Sequence, residues 1–300
     1  MSEPADYRQM DEVIGPPPRT ILLRQARRHT GLVVGGTIVL IAVIMAVFAP
    51  WLAPYDPFAQ NLDARFIPPF WMEGGSWEHI LGTDHLGRDY LSRIIYGARI
   101  SLLVGAAAAL ISGVIGVFLG VSAGYFGGRV DMAITFLITA RLAVPVILVA
   151  LAVAALYGSS VEMLIIILGL LLWDRYAIVM RANTLQLREL DFVQAAKIQG
   201  CSVPWLLVRE IMPNLLNNLI VIGTLEMAHA IILEAALSFL GLGVQPPLPS
   251  WGLMVSEGRE HILFDPWLIT VPGMFLFALV LAINLMGDGL RDVLAPESRN

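Results

Sequence analysis

Lysine is almost missing from this 300-residue chain. Nineteen residues are basic, and Lys197 is the one lysine among them. A nucleotide-binding loop of the Gly-x-x-x-x-Gly-Lys-Ser/Thr type is therefore excluded, because its lysine must reach the phosphates and the pattern does not occur. Cysteine is equally scarce. Cys201 stands alone, so no intrachain disulfide forms, and a packed or merely tolerated thiol is expected. Charge is sparse as well, at 14% of residues against about 25% in soluble domains. With 57% hydrophobic residues, the composition excludes an ordinary soluble domain.

The apolar residues are gathered into runs. A bilayer core needs about 20 mostly apolar residues per helix. Six stretches qualify: Leu32–Leu52, Ile100–Ser122, Met132–Tyr157, Met163–Met180, Leu215–Leu237 and Trp267–Met286. Barrel strands would alternate over about 10 residues instead. The expected fold is all-α, an integral membrane protein with six transmembrane helices. The first stretch is too long and begins too late for a cleaved signal peptide, so an uncleaved anchor is expected.

Basic residues orient these spans. With the N-terminus inside, the inner segments hold Arg8, Arg19, Arg24, Arg27, Arg28, Arg129, Arg181, Arg188, Lys197, Arg209, Arg291 and Arg299. The outer segments hold Arg65, Arg88, Arg93, Arg99 and Arg259, a ratio of twelve to five. The positive-inside rule then places both termini in the cytoplasm. The organisation follows: a cytoplasmic tail over 1–30 and a first span with an external segment over 31–99. A five-helix core over 100–300 carries a cytoplasmic loop at about 181–214.

Local signals add detail. The second span carries Ser112, Gly116 and Gly120 at small-xxx-small spacing and is expected inside a bundle. The stretch Asp84 to Arg99 has helical apolar spacing and suits the outer interface or packing. The external loop from Ser238 to Pro266 holds so many prolines and glycines that no regular helix is expected there.

One polar segment between the fourth and fifth spans stands out. Asp191 as an N-cap with Gln194 three residues on makes an Asp-x-x-Gln capping box. Gly200 reads as the stop, Ser202 as the cap of a second short helix, and Pro213 as the junction to the fifth span. The result is a helical hairpin outside the membrane whose outward face presents Ala195 and Ala196. Residue physics leaves two readings open: docking on another protein, or folding against its own bundle.

Gln194-Ala-Ala, Gly200 after three residues, and Pro213 at the end resemble the EAA loop of ATP-binding-cassette importer permeases. That signature reads Glu-Ala-Ala, three residues, Gly, nine residues, Ile-x-Leu-Pro; here Gln194, Glu210 and Met212 depart from it at intact spacing. Leu81-Gly-Thr-Asp84, Gly87-Arg-Asp89, Gly124-Tyr-Phe-Gly-Gly128, Phe239-Leu-Gly241 and Trp251-Gly252 are similar to the dipeptide/oligopeptide/nickel permease family, in particular its second, C-type subunit. The resemblance implies a type I ABC importer permease (MetI-like) core in a bacterial inner membrane. It further implies a sister permease, two ABC ATPases holding ATP and Mg, and a periplasmic or extracellular solute-binding protein. It implies no catalysis and no cofactor on this chain, and nucleic acid is not an expected partner. Coupling to the ATPases is assigned to Asp191, Gln194, Ala195, Ala196, Gly200 and Pro213.

Ionisable residues at membrane depth mark a pathway or a buried pair. Arg141, Asn218, Glu226 and His229 are the candidates for a translocation path. At about 100° per residue, Asn218, Glu226 and His229 share an arc of roughly 80°. Asp174 and Arg175 are expected to snorkel. Glu226-x-x-His229 supplies only two ligands on one helix, an incomplete metal site. Peptide is the expected cargo, with nickel or a metal chelate as the alternative. A proton-coupled secondary transporter using Glu226, His229 and Asp174 is the rival from another class.

Overall fold

The computed structural model describes residues 24–294 and is helical, with no strand among the described residues. The tail's Arg8, Arg19 and Pro16 to Pro18, and Arg299 at the other end, lie outside that range. Five helices are long and apolar enough to cross a membrane, or six when one bent pair counts as a span.

Helix α1 (Thr30–Val47) starts at His29, whose Nδ1 accepts from the Leu32 amide at 3.2 Å. It lies along the last helix so closely that a Cβ on Gly35 would sit 2.4 Å from the Ala282 carbonyl. A short α2 (Ala49–Leu52) follows.

The next helix, α3 (Tyr90–Phe126), has 37 residues. Asp89 caps it by accepting from the Ser92 amide at 2.8 Å, and no proline interrupts it. The stretch expected at the interface is thus the first part of the second span. Arg93, Ile94 and Ala98 are fully buried instead of lying flat on lipid. Farther along, Gly116 and Gly120 abut the Trp173 and Ala177 carbonyls, where a Cβ would meet oxygen at 2.4 and 2.5 Å. The small-residue stripe therefore works as expected, letting two backbones meet.

The stretch Met132–Tyr157 is not one straight span. It forms α4 (Gly128–Leu142) and α5 (Val146–Tyr157), bent by 79°. Pro145 causes the break, since it disfavours helical geometry at Val144 and is itself extended at ψ 123°. α6 (Val161–Leu171), capped by Ser160, and α7 (Trp173–Leu187) continue one another across Leu172.

After α8 (Asp191–Ile198) come α9 (Val203–Trp205), a π-helical stretch Leu206–Ile211 and α10 (Met212–Phe239). These last three run on as one segment, so the hairpin's second arm is the start of the fifth span and not a separate helix. The external loop does contain a helix, α11 (Trp251–Arg259), contrary to expectation. Ser250 caps it, and Gly252 helps by its small size: a Cβ there would stand 2.6 Å from the Ala235 Cα. The Trp251 indole donates to the Ile94 carbonyl at 2.9 Å. The bundle closes with α12 (Trp267–Leu294).

The main core joins α1, α3, α10, α11 and α12 around Tyr90, Ile94, Ile231, Trp251 and Leu279. One end of the bundle carries the loops 54–89 and 239–266, here the loop end. The other carries the turn at Gly127 and the hairpin, here the hairpin end.

Candidate functional site

Two groups of residues stand apart from simple packing. The first is the hairpin. Leu190, not Asp191, is the N-cap of α8, and no side chain caps the helix. The expected capping box does not form, because Leu190 takes the extended cap conformation (φ −72°, ψ 146°) and Asp191 is already helical. Gln194 turns back and donates to the Arg188 carbonyl at 2.7 Å. The stop does form. Gly200 has φ +83°, its amide bonds Lys197 O at 3.1 Å, and the Cys201 amide bonds Ala196 O at 3.2 Å, a Schellman closure.

Amphipathicity then fixes which way α8 faces. Val193 and Ala196 are buried against the bundle, so Ala196 is not on the outward face; Ala195 is. The outward surface is apolar: Phe192, Trp205, Val208 at 66% and Ile198 at 86% exposure. Arg188 ties the hairpin's stem to the last turn of α3 by donating to the Gly124 carbonyl at 3.0 Å. Leu206 and Ile211, both buried, anchor the π-helical stretch, a feature found often at functional sites. Pro213 sits in the first turn of α10 as expected.

The second group lies where α4, α7 and α10 approach one another. Arg141 donates through Nε to the Leu171 carbonyl at 2.7 Å, and its Nη2 is 3.4 Å from Asp174. Arg175 Nη1 lies 3.2 Å from Glu226 Oε1, and His229 Nδ1 lies 3.4 Å from Glu226 Oε2. Asp174 and Glu226 are buried. These five residues, with Pro145 and Val146 at the helix break, line a cavity of about 280 Å³.

Three of the four expected path residues therefore converge, and Asn218 does not. It is exposed and shares the helix face of Glu226, but stands about 12 Å along the axis at 1.5 Å per residue. Asp174 and Arg175 were expected to snorkel; Asp174 is buried beside Arg141, and the Arg175 side chain is 56% exposed and reaches Glu226. Their helix continues to Leu187, which places them mid-span, where each takes an opposite charge. The signal was in the sequence: Arg141 and Arg175 lie inside apolar runs together with Asp174 and Glu226, and unpaired charges at that depth are costly.

A third cluster, at the loop end, was quoted only as motif fragments. Arg88 Nε donates to Asp84 Oδ2 at 2.6 Å, Arg93 joins the same oxygen, and Arg93 also holds Glu257 at 2.8 Å. Burial alone would raise the Asp84 pKa; Arg93, Arg88 and two backbone amides outweigh it and hold the carboxyl below its usual 3.8. Burial lowers His85 below its usual value, with Arg88 and Arg93 acting the same way against Asp84 and Glu257. Asp84, His85 and Glu257 bring three ligand atoms within 4.8 Å, yet two arginines already occupy the carboxylates. Their chemistry is that of a clamp between α3 and α11.

A multi-helix membrane bundle with a structured hairpin at one end and paired charges in its middle has the architecture of a membrane transport subunit. Residues 116–300 match the family model described as binding-protein-dependent transport system inner membrane component, and the chain belongs to that family. Residues 19–69 match the N-terminal transmembrane domain of oligopeptide transport permease C.

Among similar proteins, the di/tripeptide transport system permease protein DppC of Pseudomonas aeruginosa is 42% identical, covering 92% of this chain and 91% of its own. The dipeptide transport system permease protein DppC of Escherichia coli K12 is 41% identical, with 90% of each chain covered. A chain of the MetNI methionine ABC transporter in an inward-facing conformation shares the fold at 15% identity. Its TM-score is 0.54, over 67% of this chain and 96% of that one. The protein is thus a multi-pass permease subunit of an ABC importer, non-catalytic, with the ATPase in separate subunits. Membership removes the self-sufficient secondary transporter.

Proposed function

We propose that the chain forms half of the translocation pathway of a di- or oligopeptide importer in a bacterial inner membrane. Both termini and the hairpin face the cytoplasm, and the loop end faces a solute-binding protein. A sister permease supplies the other half of the path. Two ATPases bind ATP and Mg, and their closure moves the hairpin as a rigid lever, tilting the spans between inward- and outward-open states.

The observation that carries this reading is the pairing of DppC relatives above 40% identity with a hairpin whose outer face is left apolar. Ile198, 86% exposed at the tip, has no structural reason to be hydrophobic unless another protein covers it. The twelve-to-five distribution of basic residues supports the orientation.

Ile198→Asp tests the docking. The variant should reach the membrane in wild-type amount, while peptide uptake falls at least about tenfold, as expected when an interface anchor is lost. Peptide-stimulated ATP hydrolysis should fall in parallel. Wild-type uptake by this variant would remove the hairpin from the coupling path.

A further inference from the structure

The two ion pairs in the mid-bundle cavity are built unequally. Arg141 is 14% exposed at its side chain and is fastened by the Leu171 carbonyl as well as by Asp174, itself 5% exposed. Arg175 has a side chain that is 56% exposed and one polar contact, to Glu226. Glu226 is wholly buried, and its partners are Arg175 and His229. One pair is therefore fixed into the wall. The other joins a half-exposed cation with a single polar contact to a wholly buried anion at the edge of the cavity.

Resting on the peptide-permease reading above, we propose that this second pair is an exchange site for the two termini of a short peptide. Arg175 turns onto the cargo's carboxylate, a group its planar fork matches with two parallel hydrogen bonds. That movement strips Glu226 of its strongest partner, and a buried carboxylate without a cation is heavily penalised. The cargo's own α-ammonium is the replacement. A molecule with both free ends therefore swaps one ion pair for two, and no charge is left bare.

A cargo blocked at either end breaks this balance. An N-acetylated peptide takes Arg175 and strands Glu226; an amidated one offers nothing to draw Arg175 away. Length is limited too. Extended chain adds about 3.3–3.6 Å per residue, so the ends of a long peptide lie too far apart for one ion pair to hold both. The ligand class is the short zwitterionic peptide, and the selection is made in the membrane, separately from any made by a delivering protein.

The test uses the complete transporter in nanodiscs without its solute-binding protein, labelled by the photoreactive dipeptide alanyl-benzoylphenylalanine. The label is expected on fragments carrying Arg141 to Val146, Trp173 to Tyr176 or Glu226 to His229. Free Ala-Phe should compete, while N-acetyl-Ala-Phe and Ala-Phe amide should each compete at least about tenfold more weakly, the effect of leaving a buried charged group unpaired. Glu226→Gln should bring the N-acetylated competitor level with the free peptide. Arg175→Gln should do the same for the amide, and Arg175→Lys should restore part of the preference. Should a variant fail to assemble with its partners, the wild-type competition series still decides. Absent labelling, labelling elsewhere, or equal competition by all three peptides overturns the exchange site. Uptake of peptide by the wild-type complex with its binding protein is measured alongside. If that uptake persists while the labelling fails, the exchange site is wrong and the importer reading stands; if uptake itself is missing, the importer reading is wrong.

Discussion

Glu234 and Glu226 sit on the same helix, both fully buried, and they have been solved differently. Glu226 is paired with a cation. Glu234 has none: its Oε1 accepts from Ser238 at 2.8 Å and from Ser250 at 2.9 Å, while Oε2 has no partner. Glu234→Gln keeps an acceptor for both hydroxyls and should leave the melting temperature of the purified transporter nearly unchanged. Glu234→Ala strands two buried hydroxyls and should cost about 1–3 kcal/mol each, seen as a clear drop in that temperature. Asp84 makes a pH prediction. Its folded pKa is lowered below 3.8, so its contribution to stability is complete above the unfolded value and is lost as pH falls through the folded one. The α3–α11 clamp should hold at pH 5 and loosen only as the pH falls below 3.8, through the lowered folded value, read by hydrogen exchange at residues 84–93. At this scale the sequence showed which residues were unusual but not who met whom. Asp191 looked like a cap because a side chain's conformation is invisible in a string, and Leu190 took that position instead.

Among the elements, long apolar helices were plain and their interruptions were not. Pro145 was visible, yet apolarity ran across it, and hydropathy alone cannot distinguish a span from two pieces bent by 79°. The α11 helix was hidden by the loop's prolines and glycines, although Pro246, Pro247 and Pro249 precede its Ser250 cap and Pro266 follows its end. The hairpin's stop was legible because one glycine governs it. A Cβ at Gly200 would touch nothing, so the whole cost of substitution lies in φ +83°. Gly200→Asn should therefore be tolerated. Gly200→Val should cost roughly 1–2 kcal/mol for the left-handed conformation, splay the hairpin and lower ATP-driven uptake several-fold. Uptake by the two variants in proteoliposomes checks this, and equal rates would show that the Schellman closure is not needed.

For the whole molecule, class came from counting, since lipid imposes the length of its apolar helices, and the proposed orientation rests on the charge asymmetry of the loops. The partnership between helices far apart in the chain did not come from counting, because it depends on three-dimensional packing. Orientation has a built-in probe. Cys201 is the single cysteine, unpaired and partly exposed at the hairpin end. A membrane-impermeant maleimide should label it in inside-out vesicles and not in right-side-out ones. The reverse pattern would invert the topology.

One consequence follows from α3. Its 37 residues make a strut about 55 Å long at 1.5 Å per residue, greater than the hydrocarbon thickness of about 30 Å. One end is bolted to α11 through Trp251, and the other to the hairpin through Arg188. With no break in between, a single continuous helix spans the whole distance from the loop end to the hairpin end.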